Sequence, residues 1–273
     1  MEQAKLTIRV PLEKKQEVGL RKISSKKIIK SYPKADLIIA NNVLAHIPNL
    51  KDFIHASLLL LKEDGIISVE VPHLLNLIKK KQFDTIYDEH YFYFSLTSLK
   101  NIFNYYGLEI FDVEELKTHG GSLRVFFKRK SSSKNKITKK INIILNKERK
   151  NKLNLFSSYS NFRKKIDLIK KDSKNFLLKQ KNKGKKIVAF GAAHKSSTFL
   201  NYCKINESLI SHVIDDTKIK IGKFCRTCKN INYLKVLGSS PSYLVTALST
   251  LSKVSSSGSF FEVNCDHTFC LLI

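Results

Sequence analysis

At 273 residues the chain is long enough for one large domain or two modest ones. No run approaches the roughly 20 apolar residues that cross a bilayer, which argues against a membrane protein and for a soluble, cytoplasmic one. Five cysteines, all at or beyond Cys203, make a poor disulfide framework and no metal site is assigned to them. The formal charge of +26 is local: residues 128–186 hold 22 Lys/Arg against 3 Asp/Glu, so +19 of it lies in one segment.

Residues 1–34 are mixed in character, with a helix expected around Leu20–Ser31 ahead of Pro33. Asp36–Ala40 is a continuous apolar run of the kind a buried parallel strand requires. Asn49 can cap a helix carrying Phe53, Leu58, Leu60 and Leu61, with its stop expected at Asp64-Gly65. Ile66–Val71 follows as a second strand, ended by Pro72. Thr97–Tyr106 reads as a helix closed by Gly107. Leu108–Val113 and Ser122–Lys128 are then two strands joined through His119-Gly120-Gly121. This order is the closing half of an open α/β sheet, residues 35–130.

The basic segment, residues 131–184, has Phe162, Ile166, Ile169 and Phe176 near helical spacing with lysines between them. It reads as a solvated helical linker; a nucleic-acid contact, which would be electrostatic and salt-dependent, is not expected. Lys186–Phe190 is a strand running into Gly191-Ala192-Ala193, followed by a helix over Ser197–Cys203 and a strand over Ile210–Ile214. Residues 185–224 are thus part of a second Rossmann-like unit. Residues 225–273 are Ser-rich and weakly periodic, and no continuation of the unit is expected there.

Ligands collect at the carboxyl ends of strands in open α/β sheets. Four polar clusters fall at such ends: Asn41 to Pro48, Glu70 to His73, Tyr87 to Ser95, and Thr118 to Ser122. Together they bring His, Tyr and Glu to one sheet edge, a combination suited to acid–base chemistry.

Three of these motifs carry a resemblance. Asn41-Asn42-Val43-Leu44-Ala45-His46-Ile47-Pro48, then Tyr87-Asp88-Glu89-His90 with Tyr93-Phe94-Ser95-Leu96, then Thr118-His119-Gly120-Gly121-Ser122-Leu123-Arg124 occur in order. In this combination the chain resembles S-adenosylmethionine-dependent C-methyltransferases that act on nucleotide-linked deoxy-ketosugars. The similarity resumes at Phe190-Gly191-Ala192-Ala193, Lys195, Leu200-Asn201-Tyr202 and Asp215-Asp216. The implied fold is α/β: an incomplete Rossmann-like class I methyltransferase sheet, a helical basic linker and a partial second Rossmann-like unit.

The resemblance implies proton removal beside a ketone, then methylation of that carbon. It makes Tyr87, Glu89 and His90 active-site residues, with His46 approaching from the neighbouring loop; among His90, His46 and Tyr87 the base is expected to be His90, with Glu89 its orienting or charge-balancing partner and Tyr87 a donor to the sugar. Asn41, Asn42 and Ala45 are the expected contacts to S-adenosylmethionine, and His119, Gly120, Lys195 and Asn201 the contacts to the nucleotide-linked ketosugar. Relatives hold the cofactor on a glycine-rich turn, whereas residues 1–34 contain only Gly19. The chain is therefore expected to be a truncated member that binds the cofactor weakly. The competing expectations are a non-catalytic remnant that binds a sugar nucleotide, or pairs with a complementary fragment or full-length relative, and a basic nucleic-acid-binding protein using residues 128–186.

Overall fold

The computed structural model describes residues 7–9, 29–30, 32–215, 217, 232–235 and 270–272. The chain divides into two compact units, Met1–Lys81 with Asp88–Ser160, and Gln82–Tyr87 with Asn161–Ile273. The helix expected over Leu20–Ser31 lies mostly outside the described residues.

The first unit is built on a five-stranded mixed sheet of spatial order β1-β2-β3-β5-β4. Its strands are β1 (Thr7–Arg9), β2 (Ala35–Asn41), β3 (Leu61–Pro72), β4 (Leu108–Leu116) and β5 (Ser122–Arg129). β2 and β3 run parallel, so Asn41 and Glu70 stand opposite each other at a shared carboxyl edge. β5 pairs antiparallel with both β3 and β4, with Val71 opposite Leu123 and Val113 opposite Val125. Ile38, Ala40, Ile67, Val69, Val71, Leu123, Val125 and Phe127 are all buried. Burying each larger side chain stabilises the sheet by about 1.5–3 kcal/mol before entropy is counted. The rings of Phe103 and Phe127 stack with centroids 3.9 Å apart, joining helix to sheet.

The helices of this unit are α1 (Leu50–Leu60), α2 (Leu74–Lys79), α3 (Leu96–Tyr105) and α4 (Lys140–Lys150). Asn49 caps α1 as its sequence suggests, accepting from the Asp52 amide at 3.0 Å. The expected stop at Asp64-Gly65 is corrected: α1 ends at Leu60, and Gly65 lies inside β3. Arg129, from the end of β5, donates to the carbonyls of Leu58 and Leu61 and so satisfies the helix end without a glycine. Gly65 serves a bulge instead. Ala35 pairs with Leu61 but Leu37 pairs with Ile66, and a Cβ on Gly65 would lie 2.7 Å from the Leu61 side chain.

Two neighbouring helices then occupy the basic segment, α4 and the 27-residue α5 (Phe156–Asn182). Ile141 and Ile144 of α4 belong to the core of the first unit.

The second unit carries a four-stranded sheet, order β8-β7-β6-β9, from β6 (Val188–Phe190), β7 (His212–Asp215), β8 (Asn232–Lys235) and β9 (Cys270–Leu272). β6, β7 and β8 are mutually parallel, and α6 (His194–Cys203) follows β6. The expectation that the unit stops near residue 225 is therefore corrected, since β8 and β9 extend its sheet on both sides. Segment 82–87 packs here: the Phe83 ring lies 5.9 Å from Phe199 and 5.0 Å from Tyr202. Overall the molecule is mixed α/β and Rossmann-like.

Candidate active site

Parallel pairing of β2 and β3 places the loops after both strands at one edge, and the chain uses that edge for its polar side chains. Asn42 leaves β2 in the left-handed region (φ 52°), with its amide donating to the Glu70 carbonyl at 2.8 Å. A short 3-10 turn, Leu44–His46, follows. Leu44 and Ala45 are buried, so the turn is anchored in the core and His46 is carried at its outer end.

His46 Nδ1 lies 2.9 Å from the main-chain oxygen of Glu89. A carbonyl only accepts, so Nδ1 carries a proton, and of the two neutral tautomers this bond selects the one with its lone pair at Nε2. The Tyr91 amide donates to the Ala45 carbonyl at 2.9 Å, a second tie between the same loops. The consequence is a pair of imidazoles: the His46 and His90 rings have centroids 4.7 Å apart, tilted by 54°. His90 also meets Tyr93 edge-on at 5.9 Å. The Glu89 side chain is exposed, and its main chain is what holds His46.

Opposite lies the turn between β4 and β5. His119, Gly120 and Gly121 have φ of 50°, 78° and 117°, three consecutive left-handed residues. Gly121 is required there: a Cβ would stand 2.4 Å from Asn76 Nδ2. Asn42 Nδ2 donates to His119 Nε2 at 3.3 Å, joining this turn to the end of β2. Lys80 Nζ donates to the Gly120 carbonyl at 2.6 Å. Buried Glu70 accepts from Thr118 Oγ1 at 3.1 Å and from Arg124 Nη2 at 2.9 Å, fixing the turn to both strands.

Of the sequence-predicted residues, His46, Glu89 and His90 come together in one cluster, and Asn41, Asn42, Ala45, His119 and Gly120 lie in the loops around the same sheet edge. Tyr87 is in the second unit, its ring 5.6 Å from His194. Lys195 sits half-buried on the first turn of α6 and Asn201 is exposed farther along it. At 100° per residue the two are roughly 120° apart around the helix. In the turn before α6, the Ala192 amide donates to Asp215 Oδ2 at 2.7 Å. One donor of that glycine turn is thus engaged by a carboxylate of the chain itself.

Fit to the implied methyl donor rests on Asn42. Its Oδ1 is buried and without a hydrogen-bond partner. Such an acceptor suits an ammonium group or a ribose hydroxyl. The Ala45 carbonyl, by contrast, is taken by Tyr91. No cluster of metal-ligating side chains occurs among the described residues. The cysteines at 225, 228 and 265 and His267 lie outside them.

Sequence reasoning missed Glu148. It comes from α4, is buried, and accepts from His73 Nε2 (2.8 Å), Leu96 N (2.6 Å), Thr97 N (2.9 Å) and Thr97 Oγ1 (2.5 Å). Burial pushes its pKa up, but the bonds from His73, Thr97 and Leu96 outweigh it and hold the carboxyl below its usual range. A signal was present: Ile141, Ile144 and Glu148 share the buried stripe of α4, with a lone carboxylate among lysines.

Residues 8–113 match the methyltransferase domain family, and residues 117–243 match the C-methyltransferase C-terminal domain family. The chain is thus methyltransferase-like in two consecutive segments. Among individual proteins it is similar to the C-methyltransferase NovU of Streptomyces niveus, 32% identical over 189 residues, which are 69% of this chain and 45% of NovU. The chain spans under half of that relative's length. The solved crystal structure of M1.HpyAVI aligns over 86% of this chain and 97% of its own, at 13% identity and a TM-score of 0.28, too low to bear on the fold. Among the described residues no helix is long and apolar enough to cross a membrane.

Proposed function

We propose that the chain carries the proton-abstracting side of a sugar C-methyltransferase, acting on a nucleotide-linked deoxy-ketosugar. The observation that supports this most directly is the His46–His90 pair, with rings 4.7 Å apart and the tautomer of His46 set by the Glu89 carbonyl. A carbon beside a ketone becomes nucleophilic once it loses a proton, and an imidazole whose pKa lies near neutrality suits that step. In this reading His90 is the base. His46, donating from Nδ1 to Glu89, fixes the ring beside it, and Glu89 balances the charge that develops on the pair. His119, on its left-handed turn with Gly120, supplies contacts to the sugar, and the resemblance adds Tyr87 as an expected donor. Lys195 and Asn201 are the expected contacts to the nucleotide part. When bound, S-adenosylmethionine supplies the methyl group; Asn42, with Asn41 and Ala45 beside it, would hold it.

Deprotonation can be tested apart from methyl transfer. The full chain is incubated in deuterium oxide with a nucleotide-linked 4-keto-6-deoxysugar, and exchange at the carbons flanking the ketone is followed by NMR. Enzyme-dependent exchange is expected, with loss of at least about a hundredfold in His90→Asn and sugar binding kept. Equal exchange in wild type and variant would overturn the assignment of His90. Calorimetric binding of the sugar nucleotide without any exchange would favour the non-catalytic reading.

A further inference from the structure

We infer that Glu148 is a positioning residue for the candidate active site, acting through His73. The carboxylate belongs to the basic segment but is built into the first unit. Its two oxygens take four donors: two main-chain amides at the start of α3, the Thr97 hydroxyl, and His73 Nε2. Ser95 caps the same helix end through a reciprocal pair with Ser98, so the amides left over are the ones Glu148 takes. An unpaired carboxylate in such a place would be costly; this one is satisfied on every side.

His73 passes the constraint on. It is 1% exposed and stands at the junction of β3 and α2. Its amide donates to the Gly121 carbonyl at 3.0 Å, which fixes the turn carrying His119. On its other side it forms a β-bridge with Phe94, reinforced by the Leu74 amide donating to the Phe94 carbonyl at 2.8 Å. Phe94 closes the loop that begins with Glu89 and His90. One residue therefore holds both loops of the site, and its side chain has a single partner, since Nδ1 is buried without one. Remove Glu148 and the imidazole loses its only anchor, while the loops lose their common reference.

The inference rests on the proposed function only for its catalytic readout, so its test has two arms. Full-length wild type, Glu148→Gln and His73→Phe are compared by imidazole NMR and by the deuterium-exchange assay. In E148Q the amide group sets a donor against donors; in H73F the cap on α3 keeps its three bonds and the main-chain ties of residue 73 to both loops remain, so only the bond from Glu148 to the imidazole is cut. Both variants are expected to shift the His46 and His90 resonances and to lower the exchange rate about tenfold to a hundredfold with KM little changed. If E148Q does not fold, H73F decides, and Thr97→Val should give a smaller change of the same sign. Destabilised but folded variants with unmoved His46 and His90 signals would reduce Glu148 to a helix cap and overturn the inference. Wild type inactive in exchange, with the resonances shifted in the variants, would instead sink the proposed function and leave the positioning role standing.

Discussion

Gly121 shows how narrowly the site's turn is specified. Its φ of 117° is a region L-residues avoid, and the space a Cβ would need is held by Asn76. Gly121→Ala should therefore cost about 1–3 kcal/mol, combining backbone strain with a forced shift of Asn76. Urea unfolding measures this directly, and an unchanged midpoint would contradict the close contact. Gly107, also left-handed at φ 80°, meets nothing within 4 Å, so alanine there strains the backbone without a clash. The motif residues were legible in the sequence because their types are unusual together. What they touch was not. The partner of His46 is a main-chain carbonyl at position 89, which no side-chain pattern encodes.

At the scale of elements, the joint between α3 and α4 sets an acid limit on the fold. The Glu148 carboxyl titrates below its ordinary range in the folded chain. Its bonds contribute fully above the unfolded carboxylate pKa and are lost as pH falls through the lowered folded value. Stability should thus decline on the acid side, and the gap between wild type and Glu148→Gln should narrow as pH drops. Denaturant titrations from pH 7 to pH 3 would show it; a constant gap would mean that Glu148 ionises alike in both states.

Strands β2 and β3 and helices α1 and α3 announced themselves through apolar runs and caps, since those signals are local. Other features were decided across long separations: Arg129 ends α1 from about 70 positions away, and β8 exists by pairing with β7. The six-residue α2, starting just after Pro72-His73, was too short to show a period.

For the molecule as a whole, two separately cored units predict unfolding that is not all-or-none. The calorimetric enthalpy should exceed the van't Hoff value, and a single transition with equal enthalpies would mean that the units melt together. The basic segment is structural in both. Ile141 and Ile144 are buried from α4, and Phe162, Ile166 and Leu177 from α5, beneath a surface of lysines. Its charge was plain from composition, whereas the residue that joins it to the polar network of the first unit is an acid, Glu148.

Residues 82–87 belong with the second unit although the chain on both sides of them belongs with the first. The boundary is therefore crossed three times, and no single cut separates the units. A protease nick near Ser160 would leave Phe83 and Tyr87 on the other piece, and residues 161–273 alone would expose the faces of Phe199 and Tyr202 that Phe83 covers. The two units are thus inherited together: recombination at one breakpoint cannot transfer the second without leaving behind the segment that covers Phe199 and Tyr202.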